Sequence, residues 1–237
     1  LPTNPQNSPL PNLRSEGLSP LFPKGVIVIE RRTPGDPKDL KPVESHYVAR
    51  ARAKRLQEFA AGRACARAAL AEFGIHDVEL PAATDRQPLW PQGFTGSITH
   101  TQGFCAAAVA LRSEILCLGL DSEIVGAPTP DIWSTVCRAE ELEWVESLPA
   151  AAQSAAVTLV FSAKEAFYKA QYPLVCEWLD FHDLRIHAPE WNGVFGVFTA
   201  AATRNIRFAD HVRLPITGRY AFHEQFVSTA VSAAVTP

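Results

Sequence analysis

Glu165 and Lys169 stand four residues apart in the stretch Val160-Phe161-Ser162-Ala163-Lys164-Glu165-Ala166-Phe167-Tyr168-Lys169-Ala170. Helix formers dominate, and no Gly or Pro intervenes before Pro173, so the stretch reads as a helix that Pro173 stops. The spacing puts a carboxylate and an ammonium on one face, a turn apart. Phe161 sits one turn earlier on that face, and Lys164 and Tyr168 form the neighbouring row. Two readings are open. The pair is an ordinary surface ion pair, or it is a metal ligand beside a phosphate clamp.

Other spacings bear on that choice. Ile115-Leu116-Cys117-Leu118-Gly119-Leu120-Asp121-Ser122-Glu123 reads as a buried strand running into two acids. On a strand Asp121 and Glu123 share a face, while Leu116, Leu118 and Leu120 point the other way. Such carboxylates repel unless a cation joins them, and carboxylates completed by waters and substrate phosphates are the usual protein site for Mg²⁺. A strand end reaching solvent is the plainer alternative. Gly96-Ser97-Ile98-Thr99-His100-Thr101-Gln102-Gly103-Phe104, continuing to Leu111, reads as a hairpin with His100 near its tip. There the Thr99 hydroxyl beside the His100 imidazole is either structural or a phosphate grip. From about Ala51 to near Gly74 the chain turns helical and basic, with an apolar stripe of Leu56, Phe59, Ala66, Leu70 and Phe73. Arg63 interrupts the stripe, and Arg55 projects within about a quarter-turn of it, two turns earlier. A guanidinium on an inward stripe needs a partner. It snorkels, pairs with an acid, or joins Arg55 in holding an anion.

The elements that must position these groups are those of an ordinary globular chain of 237 residues, 47% hydrophobic and 20% charged. A net charge of −3 argues against a generic nucleic-acid binder, so any polyanion site is a local basic patch. Cys65, Cys105, Cys117, Cys137 and Cys176 show no metal spacing and read as buried reduced thiols of a cytoplasmic protein. No apolar run approaches a membrane span, and the Pro- and Asn-rich N-terminus does not read as a signal peptide. Residues 1–24 read as an extended Pro-rich arm, Gly25–Glu30 as a strand, and Asp131–Leu148 as a solvated, partly exposed helix carrying Glu140, Glu141, Glu143 and Glu146. Short β-like runs follow Pro173. A helix followed by strands recurs in each half. That recurrence fits an α/β (α+β) fold with two similar lobes at 25–118 and 119–237. Each is a helix on a small, mainly antiparallel sheet.

Together these blocks resemble a 4′-phosphopantetheinyl transferase of the surfactin/enterobactin synthetase-associated type. The resemblance rests on Gly96–His100, Gly119–Glu123 and Phe161–Lys169 in that order, with Arg55–Arg67 as a weaker block, and covers roughly residues 50 to 185. It implies a Mg²⁺-dependent enzyme, with Mn²⁺ as a substitute, that binds coenzyme A between two pseudo-symmetric lobes. The enzyme transfers the phosphopantetheine arm to a serine of an apo acyl or peptidyl carrier protein and releases adenosine 3′,5′-bisphosphate. By position, Asp121, Glu123 and Glu165 resemble the metal ligands. Glu165 also resembles the base, directly or through water. Lys169 resembles the pyrophosphate grip, with Lys164 beside it. Arg55, Arg63 and the Arg86-Gln87-Pro88 turn resemble the nucleotide and 3′-phosphate contacts, and Thr99 and His100 the hydroxyl–histidine pair at the phosphates. A monomer serving secondary-metabolite or siderophore synthesis is the expected setting. The competing readings are a metal-dependent pyrophosphohydrolase and a non-catalytic carrier-protein-binding module.

Overall fold

The computed structural model describes residues 17–235. Strand β1 (Ile27–Arg31) is followed by helices α1 (Pro42–Val48) and α2 (Ala53–Ala71), then by β2 (Phe94–Thr101) and β3 (Phe104–Leu111). The hairpin turns at Gln102-Gly103, where Gly103 supplies a φ of 82° without the clash a Cβ would bring. The sheet order is β1-β3-β2, all antiparallel. Helix α2 lies on this sheet through small residues, Ala61, Cys65, Ala66 and Ala69, which let the two backbones approach closely.

The second sheet is built from β4 (Ile115–Ile124), β5 (Leu184–His187), β6 (Phe195–Ala202), β7 (Ile216–His223) and β8 (Phe226–Ala234), in the order β4-β8-β7-β6-β5 and antiparallel throughout. Between β4 and β5 come helices α3 (Trp133–Val136), α4 (Ala139–Ser147) and the long α5 (Ala150–Val175). Helix α5 buries Val157, Val160, Ala163, Phe167 and Ala170 in the largest core cluster. The two-lobe α+β expectation holds, with three strands in one lobe and five in the other.

Four expectations change. The division at 118/119 cuts through β4; the change of sheet falls in the turn at 112–114. Residues 1–16 of the expected arm lie outside the described residues, but the rest of that stretch is packed. Leu18, Leu21 and Phe22 are buried among Phe104, Leu120 and Phe226, because an apolar triplet in a tight turn gains more from burial than from extension. Pro173 does not stop the helix. It sits in the last turn, where only one intrahelical bond is lost, and α5 ends two residues later at Val175, capped by Cys176 with a φ of 49°. Residues 131–148 are broken at Cys137 and Arg138. Glu140, Glu143 and Glu146 are exposed, but Glu141 is buried. Four of the five cysteines are buried and all are free; Cys176 is exposed. Among the described residues no helix is long and apolar enough to cross a membrane.

The lobes meet where β2 runs beside β4 without a backbone ladder. Side-chain hydroxyls of β2 take the place of a strand partner. Ser97 Oγ accepts from Leu120 N at 3.0 Å and donates to Leu120 O at 3.4 Å, and Thr99 Oγ1 accepts from Ser122 N at 2.9 Å.

Candidate active site

One face of β4 carries Gly119, Asp121 and Glu123 toward α5. A Cβ at Gly119 would lie 1.9 Å from Ala166 O, so only glycine lets strand and helix close to this distance. One step along the strand, Asp121 Oδ1 accepts from Lys169 Nζ at 2.6 Å. The ion pair imagined between Glu165 and Lys169 is thus made to the strand.

The carboxylates form one electrostatic cluster. Burial and the neighbouring Asp121 charge push Glu123 up to about 8 and also raise Glu165. For Lys169, burial alone would favour loss of its proton, but the charges of Asp121, Glu165 and Glu123 outweigh it and hold the ammonium charged. Asp121 is 2% exposed, and its Oδ2 is buried without a hydrogen-bond partner.

From the other lobe, the hairpin brings His100 within electrostatic reach of Lys169 and Asp121. Arg55 Nη1 donates to His100 Nε2, and Glu58 Oε2 lies 3.7 Å from His100 Nδ1. Burial first, then the Arg55 charge, lowers the His100 pKa, so the imidazole is neutral and able to accept that hydrogen bond. Glu58 also lies 4.0 Å from Arg55. Sequence reasoning missed it, although it sits three residues beyond Arg55 on the same helix. A small cleft continues past His100 between Arg31, Arg32 and Lys54, a further basic surface that no motif marked.

The other expected residues are placed as follows. Arg63 is 4% exposed; its guanidinium stacks 4.3 Å from the Phe59 ring centroid, and Nε donates to Leu80 O at 2.7 Å. Burial lowers its pKa to about 10. Arg86 is exposed on the Ala83–Gln87 turn with a φ of 73°, Gln87 is held by Asp85, and Pro88 bridges to Ala82. Burial raises the pKa of Tyr172 of α5 and Asp85 lies close enough to raise it further, so this turn faces the opposite lobe. Thr99 is 1% exposed and faces β4. Lys164 is not brought to the cluster. It is 1% exposed, and its Nζ donates to Glu141 Oε2 at 2.6 Å and Val136 O at 2.8 Å. Helical geometry carries the signal: Lys164 is about 100° round the helix from Glu165, whereas Lys169 is within about 40°.

Beside Glu165 opens a largely apolar cavity of about 280 Å³, walled by Tyr168, Trp178, Leu179 and Phe181. Trp178 is 74% exposed at its mouth, 5.6 Å from the Tyr168 ring.

As they stand, no three His, Cys, Asp or Glu side chains among the described residues converge closely enough to hold a metal ion. The donor set nevertheless fits a hard divalent cation. Three oxygen-donor carboxylates repel one another, one buried oxygen of Asp121 lacks a partner, and a lone ammonium provides the counter-charge.

Comparison with known proteins follows the same division into lobes. Residues 43–110 match a family model described as the 4′-phosphopantetheinyl transferase N-terminal domain, and residues 117–224 match the 4′-phosphopantetheinyl transferase superfamily. The 4′-phosphopantetheinyl transferase Svp of Streptomyces mobaraensis is 40% identical over 85% of this chain and 82% of its own. The 4′-phosphopantetheinyl transferase Npt of Nocardia iowensis is 34% identical over 84% and 92%. Enterobactin synthase component D of Salmonella typhi is 38% identical over 49% and 48%.

Proposed function

The chain belongs to the 4′-phosphopantetheinyl transferase superfamily and is a 4′-phosphopantetheinyl transferase acting on carrier proteins, and from that premise we propose how it works. Coenzyme A is the donor, a serine hydroxyl of an apo acyl or peptidyl carrier protein is the acceptor, and adenosine 3′,5′-bisphosphate is the product. The observation that carries this reading is the cluster of Asp121, Glu123 and Glu165 around Lys169, facing His100 and Arg55 across the lobe seam.

Asp121, Glu123 and Glu165 would hold Mg²⁺, for which Mn²⁺ is the natural substitute. When bound, the ion neutralises charge on the pyrophosphate and favours ionisation of hydroxyls near it. The protein's own groups do the rest. Lys169, kept charged by its carboxylate neighbours, neutralises charge that develops on the leaving phosphate. Arg55, His100 and the exposed Arg86 grip the remaining phosphates, and Arg63 braces the loop at Leu80 behind them. The cavity at Tyr168, Trp178 and Phe181 has the apolar lining that suits the pantetheine arm. Glu165 takes the serine proton, directly or through water, as the serine oxygen bonds to the phosphorus that bears the arm. The phosphoanhydride bond breaks in the same displacement. Burial and the Asp121 charge raise the Glu165 pKa in the metal-free chain, whereas a bound cation would favour its carboxylate form and make it a weak base.

One chain supplies every group invoked, which supports a monomeric enzyme. The four buried free thiols suit a cytoplasmic one. Incubation with coenzyme A, Mg²⁺ and a panel of apo carrier proteins tests the reading by intact mass. A phosphopantetheine increment on at least one carrier is expected. An unmodified panel, or phosphopantetheine released with no carrier present, would overturn it.

A further inference from the structure

Thr99 precedes His100 on β2, yet its surroundings are not those of a ligand-binding hydroxyl. It is 1% exposed. Its Oγ1 accepts from Ser122 N at 2.9 Å and lies 3.4 Å from Asp121 Oδ1, the contact left for its single proton. One residue pair along the seam, Ser97 Oγ makes the matching bonds to Leu120 N and O but touches no carboxylate. The two hydroxyls therefore bracket Asp121. The upper one reaches its carboxylate and the lower one only its backbone neighbour.

We infer that Thr99 is a positioning residue for Asp121 and not a phosphate contact. Its hydroxyl and Lys169 Nζ both engage Oδ1, at 3.4 and 2.6 Å, so this oxygen is held from two sides while Oδ2 stays unpartnered. Donation to a phosphate would take the proton away from Asp121. It would also require an anion to enter a buried seam. The assignment ties the lobe interface to the carboxylate cluster: the seam that joins the sheets also sets the orientation of the cation-facing acid. It rests on the proposed reading that Asp121 holds a divalent cation.

The test separates cation affinity from coenzyme A affinity in the full chain. Mg²⁺ is titrated calorimetrically into protein saturated with coenzyme A and free of carrier. Coenzyme A is titrated separately in EDTA. Thr99→Val should weaken Mg²⁺ binding about tenfold, the lower end of what loss of a ligand's outer hydrogen bond costs, and leave the EDTA titration unchanged. Thr99→Ser should restore Mg²⁺ binding. Ser97→Ala should lower the unfolding midpoint through the same kind of seam damage while keeping wild-type Mg²⁺ affinity. Thr99→Ala serves if the valine variant does not fold. Wild-type Mg²⁺ affinity in Thr99→Val overturns the inference, as does weaker coenzyme A binding in EDTA. Absence of Mg²⁺ binding by the wild-type chain overturns the carboxylate site itself and the inference with it.

Discussion

Glu165 lies one helical turn before Lys169; Lys169 pairs directly with Asp121 of β4, and Glu165 acts on both through its charge. A glutamine at 165 keeps the shape and removes both the base and a cation-binding charge. Glu165→Gln should therefore lower carrier modification by at least about a hundredfold, the low end for a lost general base, with the circular dichroism spectrum unchanged. Glu123 gives a second prediction. Its folded pKa of about 8 exceeds the ordinary carboxylate value. Between that ordinary value and about 8 the folded chain holds a proton the unfolded chain lacks, so the metal-free chain should lose stability as pH rises through the window. A divalent cation should displace that proton. Calorimetric Mg²⁺ titrations at pH 7 in buffers of different ionisation enthalpy should therefore show net proton release, and heats independent of buffer would remove Glu123 from the site.

Two elements, β4 and α5, hold the cluster together, and their spacing depends on Gly119. Gly119→Ala would place a methyl 1.9 Å from Ala166 O, which the backbones can relieve only by separating. This variant should unfold at markedly lower urea, and any folded fraction should bind Mg²⁺ poorly, because Asp121 moves away from Lys169. Lys164 works on the far side of the same helix. Its ammonium neutralises Glu141, whose oxygens also accept from Arg138 N at 2.7 Å and Ile186 N at 2.6 Å, so one buried pair gathers α4, α5 and β5. Lys164→Met would strand that carboxylate in the core and should cost about 3–5 kcal/mol in urea unfolding. Coenzyme A affinity should be retained in the folded protein, where loss of a direct phosphate contact would abolish it.

At the scale of the molecule the lobes are held by the hydroxyl seam and by the segment before β1. Leu18, Leu21 and Phe22 fill the junction beneath Phe104, Leu120 and Phe226, and Arg219 Nη1 donates to Pro20 O at 3.1 Å. The exposed Arg32–Glu224 bridge at 3.2 Å adds little. Phe22→Ala should cost about 3–5 kcal/mol, read as a shifted urea midpoint. Because the wedge joins both lobes, coenzyme A binding should weaken before secondary structure is lost.

Local spacing determined a good deal by itself. The i,i+4 pair, the i,i+2 acids at a strand end and the Gln-Gly hairpin tip each follow from a fixed backbone period, and together they carry the family resemblance. Pro173 and Glu141 were misread for lack of context: a proline in a final turn costs little, and an acid in a charged run shows its burial only once Lys164 arrives from another helix. Thr99, Lys164 and Lys169 make the point most sharply. Periodicity says where each side chain leaves the backbone, but not what stands opposite. Only the docking of β2 against β4 and of α5 on β4 decided that Lys169 meets Asp121, that Lys164 meets Glu141, and that the Thr99 hydroxyl is spent inside the seam. Those are contacts between residues 22 to 48 positions apart, set by burial and charge pairing that no local pattern encodes.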